Sequence, residues 1–363
     1  MKRLATIQAP MDLGATGTRV MDIDAQGQIS AIDIRWRCTN VTVSVMLNWI
    51  FACISKIEVV DGSKVLASLS SAELFALDYY NNGKLPHYYA GMAVGAPFEF
   101  AARLNFGRYL WDKEFALRPE MYNNLQLRVT WDEDACNTGV VVNSFAAYAH
   151  VDDTPADGGA YGFLLTKEVK TFAMAGAAHE YTKLPVDGDH RLTMVYGYSA
   201  DHDVSDLIDN FKLDMNSGST VIHDQSVEDN IILSDKIAVE QIVGCGDEVV
   251  TAKDIYSCFG EKNRLTIEYD ATAHVTAQTL FALGVYTGPF CNMAASVDIQ
   301  ADFYKVQGSV PGCCVPIFHG YPSDPESWMK VSTSDELRAD ILGLAASDND
   351  DTCAIVAQQL VRY

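Results

Sequence analysis

Apolar and polar residues alternate along most of this chain, and the alternation has the period of a strand. Ile29-Ser30-Ala31-Ile32-Asp33-Ile34-Arg35-Trp36 sets the pattern, burying one face and wetting the other. Ile54 to Leu66 alternates on both sides of a tight turn at Asp61-Gly62-Ser63, which predicts a β-hairpin. The same arrangement returns from Ile208 to Ile222 with two residues inserted at the turn. Two weaker echoes follow in order, Asn124 to Val129 with Arg264 to Tyr269, and Phe145 to Tyr148 with Phe281 to Gly284. Three matches in one order predict a duplicated β-domain.

Further strands are expected at Phe100–Phe106, Glu114–Leu117, Leu125–Trp131 and Val140–His150. Ser70-Ser71-Ala72-Glu73, a Ser cap with an acidic first turn, opens a short helix that Asn81-Asn82-Gly83 ends. Residues up to about Gly27 are small and polar and read as an arm, and residues 85–98 read as a loop rich in Tyr, Gly and Pro. A cluster of turn formers and like charges, Asp152-Asp153-Thr154-Pro155-Ala156-Asp157-Gly158-Gly159, marks a boundary. The β pattern then restarts at Phe163–Phe172, Tyr181–Asp187 and Arg191–Tyr198, with Asp206–Asp209 read as the lead-in to a strand. Ser334 to Arg338 reads as a capped turn and Ala354 to Val361 as a last strand. Short strands in two similar halves, with little helix, predict an all-β protein of two sandwiches or barrels. Jelly rolls of about eight strands each fit the length, and no period of the kind a solenoid needs is present. The expected layout is an arm at 1–28, a first jelly roll at 29–160 and a second at 161–363, with short helices in loops.

Charge narrows the partners. Forty-eight acidic against 26 basic residues give −22 over 363 residues, and no Lys/Arg run occurs. A phosphate backbone is bound through cations that displace counterions, so a sizeable nucleic-acid interface is not expected. Nine cysteines show no CxxC; Cys313-Cys314 is the one close pair, and buried free thiols in a reducing compartment are expected. Basic residues at the N-terminus are followed by no apolar region of the signal-peptide kind. The longest apolar stretch, Val41 to Ile54, is short of the ~20 residues a membrane helix needs.

Chemistry is thin. The histidines (His87, His150, His179, His190, His202, His223, His274, His319) are scattered without an HxH, so no His-based metal site is expected. Asp22-Ile23-Asp24 and Asp348-Asn349-Asp350-Asp351 offer hard oxygens without completing a calcium loop, and read as solvated turns. No GxSxG, P-loop or GxGxxG is present. Trp36, Trp49, Trp111, Trp131 and Trp328 read as core side chains before a carbohydrate platform. No catalytic, cofactor-binding or metal residue is therefore assigned, and a structural role is expected.

Three segments carry a resemblance. They are Ile54–Leu69 with its Asp61-Gly62-Ser63 turn and the Ser70–Tyr80 helix, then Gly162–Lys170 leading to Glu180–Pro185 and Arg191-Leu192, and last Glu326-Ser327-Trp328 with Val356–Leu360. In these the chain resembles the double jelly-roll major capsid proteins of tailless, membrane-containing icosahedral viruses of bacteria and archaea. The resemblance implies a homotrimer with a pseudo-hexameric footprint, contacts with neighbouring capsomers, and partners among penton, minor capsid and membrane proteins. It implies an internal membrane between shell and genome, no direct nucleic-acid contact, no cofactor, and a place in the virion after assembly in the host cytoplasm. Residues 85–98 and 244–258 would form the outer turret and subunit seams, and Met1, Lys2 and Arg3 would face the membrane. The alternative is a double jelly-roll glycan hydrolase or carbohydrate-binding protein.

Overall fold

A computed structural model describes residues 1–40, 50–90, 95, 97–135, 140–155, 159–199, 202–234, 239–244, 249–250, 254–269, 278–281, 286–287, 290–292, 299–300, 303–331, 335–344 and 351–363. Among these, the first half contains β1 (Lys2–Met11), β2 (Thr16–Asp22), β3 (Gln28–Asn40), β4 (Ile54–Asp61), β5 (Lys64–Leu69), α1 (Ser71–Asn82), β6 (His87–Ala90), β7 (Pro97–Asn105), β8 (Leu125–Asp132) and β9 (Val140–Asp152). The second half opens with β10 (Gly162–Ala173), β11 (His179–Leu184), β12 (Asp189–Tyr198), α2 (Val204–Leu207), β13 (Ile208–Met215), β14 (Thr220–Ser226) and α3 (Val227–Ser234). An inserted region carries β15 (Val239–Gly244), β16 (Val249–Val250), β17 (Asp254–Tyr256), β18 (Phe259–Tyr269), β19 (Gln278–Phe281), β20 (Tyr286–Thr287), β21 (Phe290–Asn292), β22 (Ile299–Gln300) and β23 (Phe303–Pro311). The chain then closes with β24 (Cys314–Phe318), β25 (Leu337–Gly343) and β26 (Thr352–Arg362).

Strand order exposes the duplication. The first half builds sheets β1-β9-β3-β7-β6 and β2-β8-β4-β5; the second builds β10-β26-β12-β24 and β11-β25-β13-β14. With the short β6 set aside, the two halves match strand for strand, eight to a roll. Even irregularities repeat. Gln28 and Ile29 pair with Asp152 and Val151, Ser30 bulges out, and Ala31 pairs with His150. Asp189 and His190 pair with Leu360 and Gln359, Arg191 bulges out, and Leu192 pairs with Gln358. The bulged residue accepts the same bond in each roll, from Phe106 N to Ser30 O and from His319 N to Arg191 O, both 3.0 Å.

The period-2 pattern becomes a core directly. Leu125, Leu127, Val129 and Trp131 face inward from β8, and Leu337, Ala339 and Ile341 from its counterpart β25. Trp36 is fully buried and packs edge-on against Phe145, 6.1 Å between centroids. One apolar cluster runs through both rolls. The helix after each hairpin is also duplicated. Ser70 Oγ accepts from Glu73 N at 3.3 Å while Glu73 Oε2 accepts from Ser70 N at 2.7 Å, and Gly83 closes α1 in the left-handed region at φ 64. In the second roll Ser226 Oγ accepts from Asp229 N at 3.1 Å, which aligns α3 with α1 residue by residue. Ser70→Ala is expected to cost about 1 kcal/mol, read as a lower denaturation midpoint with an unchanged slope.

The rolls lie side by side and point the same way. β5 pairs with β10 in parallel, Ala67 with Thr166 and Ser68 with Lys167, joining two four-stranded sheets into one of eight. Because strands alternate in direction within each roll, both chain termini and the turns at 62–63 and 216–219 share one end, the base. β3, β5, β12 and β14 finish at the opposite end, the head, and the 235–313 insertion departs from there.

Several expectations are corrected. Residues 2–22 are not an arm: they form β1 and β2, held to β9 and β8 by backbone pairing, which small and polar side chains do not prevent. The hairpin repeat holds, but the two weaker echoes do not. The counterpart of β8 is β25, while Arg264–Tyr269 lies in β18 of the insertion. The counterpart of β9 is β26, while Phe281 ends β19 and residues 282–284 lie outside the described residues. Residues 87–90 form an edge strand, and Phe115 and Leu117 make isolated bridges in place of a strand. Asp206–Asp209 does lead into β13, which begins at Ile208, with Val204–Leu207 forming a helical turn just before it. Cys38, Cys258, Cys313, Cys314 and Cys353 are buried free thiols, but Cys53 is disulfide-bonded, with its partner outside the described side chains. Trp49, His274, Ser334, residues 348–350 and parts of 85–98 and 244–258 also lie outside the described residues.

Candidate assembly surfaces

A seam joins the rolls, and a buried cation organises it. Arg191 is 2% exposed. Its Nε donates to Pro322 O at 2.9 Å, and its Nη1 donates to Asn81 Oδ1 and Gln358 Oε1, both at 2.6 Å. Gln358 Nε2 donates in turn to Thr166 Oγ1 at 2.9 Å. Burial, with Arg108 nearby, pulls the guanidinium down to about 10. Asn81 belongs to α1 of the first roll, so this guanidinium ties the two halves together. Tyr80 adds a second tie, its hydroxyl donating to Cys314 O at 2.7 Å. Toward the base, Arg108 binds Asp112 at 2.7 Å, donates to Ser323 O at 2.9 Å, and stacks on Phe115 at 4.6 Å. Phe115, Leu164, Trp328 and Leu360 make a small apolar cluster there from both rolls.

Glu73 is buried in the same region, 1% exposed. Burial first, and then the neighbouring Glu168 charge, push its carboxyl up to about 8 against the hydrogen bonds of Ser70. The folded chain therefore holds this proton more tightly than the unfolded chain. Stability from this group is complete below the ordinary value of 4.5 and is lost as pH rises through 8. Glu73→Gln keeps the capping geometry without a titrating proton. The variant is expected to lose less urea resistance than the parent between pH 5 and 8.5; parallel curves would contradict this.

The outer face of β1-β9-β3-β7 carries a second set of charges. Arg103 grips Asp33 through two bonds of 2.6 and 3.0 Å, and His150 reaches the same carboxylate at 2.7 Å. Against the opposing pull of burial, His150 and Arg103 hold Asp33 below the usual carboxylate range. Burial pushes Asp78, behind them, up to about 6. A groove of about 460 Å³ opens over these groups, lined also by Arg35, Lys84 and Tyr148. Arg35 makes no ion pair among the described residues, and its Nε is buried without an acceptor.

Met1 sits at the base just before β1, and Lys2 and Arg3 begin that strand. The terminal ammonium meets Asp152 at 3.5 Å, Lys2 lies 5.1 Å from the Trp111 ring, and Arg3 binds Asp153 at 2.9 Å. Elsewhere the titrating residues serve structure. His190 bonds Pro185 O and His319 bonds Thr193, each within the second roll. Burial, with His190 and His223 nearby, pulls His319 down to about 3. Among the described residues, no three His, Cys, Asp or Glu side chains are grouped to hold a metal ion. Asp22 accepts from Gln126 at 2.9 Å, which occupies one of the suspected calcium oxygens. Trp36, Trp131 and Trp328 are core residues, as expected, whereas Trp111 is only half-buried, against Lys2 and His150. Sequence reasoning missed Arg191 and Arg35, because an isolated arginine carries no pattern until the bulge or the groove places it.

No family model matches the chain, and no curated protein does. Solved structures match over its whole length. The major capsid protein of Sulfolobus Turreted Icosahedral Virus is 13% identical, with a TM-score of 0.63 over 100% of this chain and 97% of that one. The fold is a double jelly roll. A chain in the atomic structure of that virus gives 14% identity and 0.54 over 99% and 91%. The major capsid protein of bacteriophage PM2 gives 11% and 0.52 over 100% and 98%. The double jelly roll thus spans the chain from end to end, with little of the sequence shared.

Proposed function

We propose that this chain is a major capsid protein, a non-enzymatic building block of an icosahedral shell. The observation that carries the reading is the side-by-side, same-way arrangement of two matched rolls, which the full-length similarity to two viral capsid proteins supports. Three chains closing into a homotrimer place six similar rolls around one axis, so a threefold object meets its neighbours with near-sixfold edges and tiles a hexagonal lattice with few distinct contacts. In this reading the chain divides near residues 153–161, the head insertion forms the outer surface, and the base faces an internal membrane. Met1, Lys2 and Arg3 then lie on the membrane side, and penton, minor capsid and membrane proteins complete the virion after assembly in the host cytoplasm. No observation favours the glycan-active alternative.

Self-association is the direct test. Three chains of 39.8 kDa give a particle of about 120 kDa by light scattering. With a charge of −22, association between such particles is expected to strengthen with salt or divalent cations, since screening confines repulsion to roughly 8 Å at physiological ionic strength. A monomer at every salt concentration and protein concentration would contradict the proposal.

A further inference from the structure

The seam inside one chain has a counterpart that is left open. Within the chain, β5 pairs with β10, and both are covered: β5 is buried from Leu66 to Leu69, and Thr166 of β10 is fully buried. The counterpart of β5 is β14 and the counterpart of β10 is β1, each at the edge of its sheet. Both are bare. β1 alternates between exposed and half-buried along most of its length, and β14 has no buried residue. Leu4 is 55% exposed and Val221 50%. The helices differ in the same way. In α1, Ala76 and Leu77 are fully buried, and a Cβ on Gly312 of the second roll would sit 3.2 Å from that of Ala76. Their counterparts in α3, Ile232 and Leu233, are 56% and 61% exposed. Free edges with apolar side chains invite another strand.

We propose that β14 and α3 of one copy dock on β1 and the outer face of its sheet in a second copy, repeating the internal seam between molecules. This rests on the self-assembly reading above and names the surfaces it uses. The matched bulges fix the register. Thr166 pairs with Gln358 as Leu4 pairs with His150, and the helix caps equate Ala67 with His223. His223 therefore lies opposite Leu4, and Asp224 opposite Ala5, in parallel. The charges agree. The exposed Glu228 and Asp229 at the start of α3 meet a groove holding Arg35 and Lys84, neither of which has a carboxylate partner among the described residues. The contact is heterologous, so it propagates from copy to copy and a ring of three closes it.

A cysteine pair reads the register and a charge reads the surface. Leu4→Cys with His223→Cys places two thiols on adjacent strands, within disulfide reach. Under mild oxidation the double variant is expected to give reducible dimers and trimers that the parent does not. Leu233→Glu is expected to raise the monomer fraction at least tenfold while leaving the melting temperature of the monomer unchanged. A parent that is trimeric, with no cross-link and no effect of Leu233→Glu, would overturn this interface and leave the capsid reading standing. A parent that is monomeric under all conditions would overturn both.

Discussion

Arg191→Met is expected to destabilise the fold by about 3 kcal/mol. Two terms oppose each other. The guanidinium is 2% exposed and bonds three neutral oxygens, so removing it relieves a desolvation penalty. It also strands Gln358 Oε1, in a buried bond, at roughly 1–3 kcal/mol for a buried group left unpaired, and Pro322 O and Asn81 Oδ1, in part-buried bonds, at less. Together these lost bonds outweigh the relief. Because Asn81 belongs to α1 and Gln358 to β26, the loss falls on the coupling between rolls. A single cooperative urea transition is expected to split into two. A midpoint within about 1 kcal/mol of the parent, still as one transition, would show that Arg191 does not hold the seam.

Gly312→Ala is expected to act on the same seam through shape, at about 3 kcal/mol. Gly312 sits at φ +61, and a Cβ there would lie 2.2 Å from Ala72 O in α1. The left-handed conformation contributes roughly 1–2 kcal/mol and the overpacking another 1–3. Gly62 provides the control, since it has the same φ of +61 with nothing within 4 Å of the added carbon. Gly62→Ala carries only the backbone cost. Equal thermal shifts for the two variants would show that α1 does not press on the 312 turn.

How much of this was legible in the sequence follows from what local pattern encodes. The alternation that marked Ile29–Trp36 and Leu125–Trp131 also set their buried faces, because a strand's two sides are fixed by parity alone. The hairpin repeat and the Ser70 cap were readable for the same reason, since turn and cap chemistry act over three or four residues. β1 and β2 were missed because their stability comes from pairing with β9 and β8, more than a hundred residues away. The false match of Arg264–Tyr269 with β8 has a related cause. Any two half-buried strands share a pattern, and only strand order separates a duplicate from an insertion. The surface chemistry was the least readable. Arg191 becomes a tie only when a bulge turns it toward Asn81, and Arg35 faces an open groove only when β3 lies between β9 and β7.

The most direct test of the account is the outline of the assembled particle. Class averages of the purified chain in negative stain are expected to show a hexagonal, six-lobed projection from three chains, with the two lobes of each chain at matching radius. Two-lobed particles alone, at protein and salt concentrations that favour association, would contradict the claim that the duplicated roll serves a shell.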